Sequence, residues 1–279
     1  MSEPGRLILC ATPIGNLADV SDRLRTTLAE VDMIYAEDTR RTSVLLNHIG
    51  VSQPVRSFFV GNEEARTGEL LRSVREGKQV ALVTDAGMPG ISDPGSAAVR
   101  RVRAAGLTVT VIPGPSAVTA AIALAGFGGE GFVFDGFLPR KGRLRTERLR
   151  RIAGEDRPVV LFVSPHRLQA DLLDLGATSG ADRQVVVARE LTKLHEEVWV
   201  GSIGGAVEEW SERAPKGEFT IVLAPAQALA VSIDDAAAQA RLLVSGGASP
   251  SEAAREIAAV TGVPRRKIYE ALLGSQDRS

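Results

Sequence analysis

The sequence predicts an α/β protein made of two α/β domains, followed by a small C-terminal helical region. Three observations carry this expectation. Short apolar runs alternate with helix-like segments through the first half, the pattern of a largely parallel sheet. Three of those runs empty into loops rich in Gly and Pro. Beyond Pro115 the order becomes less regular, and from about Ser232 only helical periodicity remains.

Taken in order, Leu7–Thr12, Asp32–Ala36, Gln79–Thr84 and Thr108–Ile112 are the first strands, with helix-like stretches at Val20–Ala29, Glu63–Arg75 and Gly95–Ala105 between them. Ser116–Ala125 is a small-residue helix. The glycines that follow it, Gly126, Gly128, Gly129 and Gly131, read as a domain junction. Strands are then expected at Phe132–Phe137, Val159–Val163, Gln184–Arg189, Glu197–Gly201 and Phe219–Leu223. Val185–Arg189 and Glu197–Gly201 lie close enough to form an antiparallel pair, so this sheet is expected to be mixed. In the tail, Ala236–Val244, Ser249–Val260 and Arg265–Leu273 are helical, and Ala253–Leu273 has the glycine turn of a helix-turn-helix. The expected domains are 1–115, 116–228 and 229–279.

A chain of 279 residues, 44% of them apolar, has enough material for more than one core. Its net charge of −1 does not advertise a nucleic-acid binder, so the distribution of charge matters more than the sum. The single cysteine, Cys10, sits in an apolar run and reads as a small core residue, which fits a reducing cytoplasm. His48, His166 and His195 are scattered, and no Cys/His cluster has metal-ligand spacing, so no metal is expected. There is no membrane-length apolar run and no export signal pattern; the expectation is a cytoplasmic protein without membrane contact.

The three loops are LILCATPIGNLAD (Leu7–Asp19), TDAGMPGISDPG (Thr84–Gly95) and VTVIPGPSA (Val109–Ala117). Strands that end in such loops bring bare backbone and carboxylates to one sheet edge, where open α/β sheets bind ligands. Neither the G-x-G-x-x-G spacing nor a Walker lysine is present. With few basic residues in the loops, a neutral-to-zwitterionic ligand suits them better than a polyphosphate. Ordinary tight loops share this composition, and Asp93-Pro94-Gly95 also reads as a helix cap with proline at the first helical position.

TPIGNLAD (Thr12–Asp19), AEDTR (Ala36–Arg40), TDAGMPGISDPG, PGPSA (Pro113–Ala117), ARELTK (Ala188–Lys193) and KGEF (Lys216–Phe219) occur in that order. Together they resemble the tetrapyrrole-methylase superfamily and, within it, the bacterial small-subunit ribosomal RNA cytidine 2′-O-methyltransferases, the RsmI family. The resemblance runs from about Leu7 to about Ala224, and the helical tail also fits it. It implies a class III, non-Rossmann methyltransferase fold with a donor cleft between the two α/β domains. It further implies S-adenosylmethionine as donor, a homodimer, and small-subunit ribosomal RNA or the 30S subunit as partner, with a cytidine near the decoding centre as target. The chain departs from the family pattern at Met88 and Gly90, and where Phe162-Val163 precede Ser164-Pro165-His166-Arg167.

Methyl transfer to a ribose hydroxyl is an in-line displacement that needs alignment and, because the hydroxyl is barely ionised, a nearby proton acceptor. Glu37, Asp38 and Glu190 are the candidates, while Arg40 and Lys193 are placed to hold flanking phosphates. Helix-start chemistry is the competing reading of this motif, with Asp38 or Thr39 as a cap. Donor contacts are expected from Pro13, Ile14 and Gly15, from Asp85, Ala86 and Gly87, from Ser92 and Asp93, and from Ser116 and Ala117. RNA contacts are expected from Arg140, Lys141, Arg143 and Arg145, in a segment with seven basic residues and one acid and little acid nearby, and from Arg265, Arg266 and Lys267 in the tail. A solvated helix face is the plainer reading of the first, and a packing or dimer element that of the second. Two rival functions share the fold: methylation of a tetrapyrrole precursor, and RNA binding without catalysis.

Overall fold

The computed structural model describes residues 5–129, 131–226 and 232–273. They fall into two compact units, Met1–Pro225 and Ala226–Ser279. The first unit opens with strands β1 (Arg6–Cys10), β2 (Met33–Ala36), β3 (Val55–Ser57), β4 (Gln79–Val83) and β5 (Thr108–Ile112), in the spatial order β3-β2-β4-β1-β5. Every pairing is parallel. Helices α1 (Asp22–Glu30) and α2 (Thr39–His48) bring Leu24, Leu28, Leu45 and Leu46 against Ile8, Cys10, Ile34 and Ala81. Helices α3 (Glu63–Arg75) and α4 (Ser96–Ala104) cover the other face, where Leu70, Val74, Ala98 and Val102 meet Leu7, Tyr35, Val80 and Leu82. Burial on both faces is why these strands read as continuous apolar runs rather than alternating ones. Because all five run the same way, the loops that follow β1, β2, β4 and β5 open at one edge.

The rest of the unit is a second sheet. After α5 (Ala117–Ala125) come β6 (Val133–Phe137), α6 (Arg143–Ala153), β7 (Val159–Val163), α7 (Leu168–Ser179), β8 (Gln184–Arg189), β9 (Glu197–Ser202), α8 (Ile203–Glu209) and β10 (Phe219–Leu223). The strands lie in the order β6-β7-β10-β8-β9; β6 is parallel to β7, and the remaining pairs are antiparallel. The sheet is mixed, as the sequence predicts. One face packs Val159, Leu161, Val187 and Ile221 against Leu149 of α6, Leu172 of α7 and Ile203 of α8. The other packs Val160, Val186 and Val222 against Val118 and Ala121 of α5.

That packing corrects one expectation. The glycine-rich stretch is not the passage between the sheets; it joins α5 to β6, both of which belong to the second sheet. The chain crosses from one sheet to the other at Pro113–Ser116, immediately after β5.

The second unit is helical: α9 (Ile233–Ser245), α10 (Pro250–Thr261) and α11 (Arg265–Leu273) enclose a small core of Ala236, Ala240, Ala253, Ile257, Ile268 and Leu272. Ser249 starts α10 with a reciprocal capping box to Glu252, and Gly262 ends it. At the start of α11, Arg265 donates to Ser251 Oγ at 2.7 Å and Arg266 pairs with Glu270 at 2.7 Å. Lys267 is exposed.

Candidate active site

The loops of the first sheet and the strand ends of the second enclose a cleft of about 310 Å³. Its first-sheet wall comes from Ile14 after β1, from Ala86, Gly87, Met88, Ile91, Ser92 and Asp93 after β4, and from Ser116 and Ala117 after β5. The loops are tied together by backbone. Thr12 and Gly87 exchange two hydrogen bonds, at 2.9 and 3.1 Å, and the Thr12 hydroxyl donates to the Thr84 carbonyl at 3.0 Å. Ser116 caps α5.

Seven of the ten expected donor residues, Ile14 among them, thus stand on one wall. Pro13, Gly15 and Asp85 do not line it. Pro13 is buried. Asp85 is turned toward β2: its Oδ1 accepts from the Asp38 N–H at 3.0 Å, and Arg41 lies 3.6 Å from its Oδ2. It fixes the AEDTR segment to the β4 loop.

Within AEDTR, Asp38 is the N-cap of α2 and accepts from the Arg40 N–H at 2.8 Å, so the capping reading of Asp38 describes its geometry. Glu37 Oε2 takes a 2.6 Å hydrogen bond from the Thr84 hydroxyl. Glu37, half-buried, and Arg40, exposed, are not among the residues that line the cleft.

Burial, followed by the charges of Glu37 and Asp85, pushes the Asp93 carboxyl up to about 6. Burial likewise raises Asp85, although the Asp38 N–H works against it. Asp93 and Glu218 are the only charged residues among those lining the cleft. Glu218 is already paired with Lys193, which leaves Asp93 as the lining carboxyl able to favour a ligand that carries positive charge.

The opposite wall contains residues that the glycine loops did not announce: Phe137, Phe162, Val163, Ser164, Pro165, Leu191, Glu218, Phe219 and Thr220. They come from the ends of β6 and β7, the turn after β8 and the start of β10. ARELTK and KGEF were the available signals. Glu190 and Lys193 stand beside the wall, not on it. Lys193 Nζ reaches Glu190 Oε1 at 2.8 Å and Glu218 Oε2 at 3.1 Å, and Glu190 Oε1 also accepts the Glu218 N–H at 2.8 Å. Burial would raise Glu190, but Lys193 and the Glu218 N–H together hold it below the usual carboxylate range. The Lys193 stem lies across Gly15; a Cβ there would come within 2.3 Å of Lys193 Cγ. Gly15 is thus required for close approach between the β1 and β8 loops. Ser92, Glu190 and Thr192, all around the cleft, hold φ of 64°, 50° and 66°, a conformation that non-glycine residues adopt only at a cost.

The basic segment divides. Arg145 is not available to RNA: it is 6% exposed, bonded to Asp171 at 2.7 Å and Asp174 at 2.6 Å, and donates to the Pro139 carbonyl. Arg148 and Arg151 are both engaged by Asp135, and Arg143 pairs with Glu147. The expectation of little acid nearby fails, because the partners lie on α7 and β6, distant in sequence. Arg140 and Lys141 remain exposed beside the cleft loop. Burial pushes the Cys10 thiol up to about 12, consistent with a core residue. Among the described residues no cluster of His, Cys, Asp or Glu suits a metal ion, and no helix is long and apolar enough to cross a membrane.

Comparison with known proteins matches residues 6–207 to the Tetrapyrrole (Corrin/Porphyrin) Methylases and residues 230–276 to the RsmI C-terminal HTH domain. The chain is 43% identical over 269 residues to a ribosomal RNA small subunit methyltransferase I of Synechocystis, covering 95% of this chain and 96% of that one. A protein of the same name from Thermotoga maritima is 48% identical over 219 residues, which cover 78% of this chain but 98% of that one. The fold is similar to that of a uroporphyrin-III C-methyl transferase from Thermus thermophilus complexed with S-adenyl homocysteine, with a TM-score of 0.56 and 17% identity over 78% of this chain and 96% of that one. The parallel and mixed sheets around a shared cleft, the motifs on its walls and these matches agree: the chain belongs to the tetrapyrrole methylase family, among the ribosomal RNA small subunit methyltransferases I, and is an S-adenosylmethionine-dependent methyltransferase.

Proposed function

We propose that this protein methylates the ribose 2′-oxygen of a cytidine in the decoding region of small-subunit ribosomal RNA, as a cytoplasmic homodimer acting on the RNA or the 30S subunit. The observation that carries the reading is the near full-length identity to ribosomal RNA small subunit methyltransferases I, joined to a cleft whose lining charges are acidic. S-adenosylmethionine, when bound, supplies a methyl group on a sulfonium, a good leaving group. Asp93 favours its positive charge, and the Ala86–Gly87 and Ser116–Ala117 backbone orients it.

The acceptor hydroxyl needs a partner for its proton. We assign that role to Glu37, whose carboxylate is oriented by the Thr84 hydroxyl. Asp38, by capping α2, sets the direction of Arg40, which binds a phosphate beside the target. Glu190 and Lys193 position the β8 loop rather than carry the proton. Arg140, Lys141, Arg143, Arg265, Arg266 and Lys267 supply phosphate contacts. The exposed apolar side chains Leu194, Val198 and Val200, on and beside edge strand β9, support a homodimer.

Ribose methylation mapped in small-subunit RNA from cells with and without this protein tests the reading. Loss of one 2′-O-methyl cytidine, restored by purified protein and donor acting on subunits from the deleted strain, is expected. An unchanged RNA map, or methylation of a tetrapyrrole precursor instead, would overturn it.

A further inference from the structure

Phe137 is 55% exposed, an unusual place for a phenylalanine at the end of a strand. Much of the local structure is directed to keeping it there. Along β6, Val133 faces α6, whereas Phe134 faces the cleft side with Phe162. Simple alternation would return Phe137 to the α6 face. The register shifts between Phe134 and Gly136, so that Gly136 pairs with Leu161 and Phe137 with Phe162. This bulge re-aims Phe137 into the cleft wall.

The bulge is braced. Gly136 holds φ of 64°. The Asp135 side chain, 6% exposed, takes Arg148 and Arg151, and Arg148 also donates to the Asp135 carbonyl at 2.8 Å. Arg145 anchors the Pro139 carbonyl just beyond, at 2.9 Å. The ring itself rests on Phe162, with centroids 5.6 Å apart, and Phe162 in turn rests on Phe134 at 4.9 Å. One side of Phe137 is therefore backed by aromatic packing while more than half of the residue is open. Exposed Arg140 and Lys141 follow in the same loop.

We propose that Phe137 is the stacking platform for the nucleobase of the acceptor nucleotide, holding its ribose toward the donor. The inference rests on the RNA-methyltransfer reading above. Proteins that recognise unpaired RNA stack bases on aromatic rings, and a ring propped from behind loses little freedom when a base settles on it. Cations in the next residues suit the phosphates on either side of that base.

The test uses small ribosomal subunits from a strain lacking the protein, labelled S-adenosylmethionine, and the full-length variants Phe137→Leu, Phe137→Ala and Phe137→Trp. Calorimetric donor affinity is expected to stay within about twofold of wild type, which also shows that each variant is folded. The kcat/KM for subunits is expected to fall on the order of 10- to 100-fold in the Leu and Ala variants, the range of one base–aromatic stack. Phe137→Trp should recover to within a few-fold. Wild-type activity in Phe137→Leu would overturn the proposal, since apolar area alone would then suffice. A parallel fall in donor affinity would also overturn it, assigning the ring to the donor's adenine. Absence of RNA methylation by the wild-type protein would remove the activity reading and this inference together, and the wild-type arm alone reveals that case.

Discussion

If Asp93 faces the positive charge of S-adenosylmethionine, donor binding must be linked to its ionisation. In the unliganded cleft its carboxyl titrates at about 6. With a cation beside it, the value should return toward the ordinary aspartate range, about 3.9. At pH 5 roughly nine-tenths of the free protein then carries a proton that binding must expel, whereas at pH 7 only about a tenth does. The dissociation constant should therefore tighten about tenfold between pH 5 and pH 7, or ~1.4 kcal/mol, and level off above. The sign for the unliganded fold is opposite. A carboxyl raised by folding withdraws stability as pH climbs from the ordinary range to about 6, so donor should raise the melting temperature more at pH 7 than at pH 5. Calorimetry at the two pH values, with Asp93→Asn as the control, measures the linkage. The variant should bind more weakly at pH 7 and show little slope. Equal wild-type affinity at both pH values, or a tenfold slope that survives in Asp93→Asn, would refute the assignment of Asp93 to the donor's charge.

Arg145→Gln is expected to act on the fold, costing about 1–3 kcal/mol of stability because buried Asp171 then keeps only Arg167 as its cationic partner. Arg140→Gln and Lys141→Gln should leave the melting temperature unchanged but weaken RNA binding and lower its salt slope by about one each. Gly15→Ala should displace Lys193 and reduce methyl transfer; in a Lys193→Ala background it should do little more, a non-additivity visible in a double-mutant cycle. Truncation after Pro225 should preserve donor affinity, since 219 matched residues span 98% of the Thermotoga maritima relative, while RNA affinity falls and its salt slope flattens. Arg40→Ala should lower methyl transfer strongly at unchanged donor affinity, with Arg40→Lys only partly restoring it, because an ammonium cannot reproduce a bidentate fork; full turnover in Arg40→Ala would take this residue out of the site.

The first sheet was legible because its strands are buried on both faces and its loops carry their own chemistry. β3 escaped notice: Val55–Ser57 has three residues, none fully buried, and so no pattern to read. Ala86, Gly87, Ser92, Asp93, Ser116 and Ala117, to which the glycine and proline loops and the family resemblance pointed, do line the cleft. Phe162, Phe219 and Thr220 were not foreseen, because a residue at the end of a buried strand looks like core until its neighbours are known. Arg145 was misread for the same reason. Its partners Asp171 and Asp174 lie on α7, 26 and 29 residues away in sequence. A helical charge run shows its sign in the sequence; which of its members are buried is decided by a different helix.

The net charge of −1 conceals a division of labour that follows from the two ligands. A sulfonium donor is held by carboxylates, and RNA by cations, so a single mixed site would serve neither. Here the lining charges are Asp93 and Glu218, while Arg40, Arg140 and Lys141 are exposed outside the cleft lining. A phosphate pushed into such a wall would meet Asp93 and a Glu218 already paired with Lys193, so the proposed function has RNA enter sugar first with its phosphates turned outward. That is the orientation the proposed 2′-oxygen acceptor needs. The same arrangement gives a use to Arg148 and Arg151 at the Asp135 bulge and to buried Arg145 at the Pro139 carbonyl. In the proposed function they shape the rim that orients the nucleotide, and exposed Arg140 and Lys141 beside them would hold its backbone.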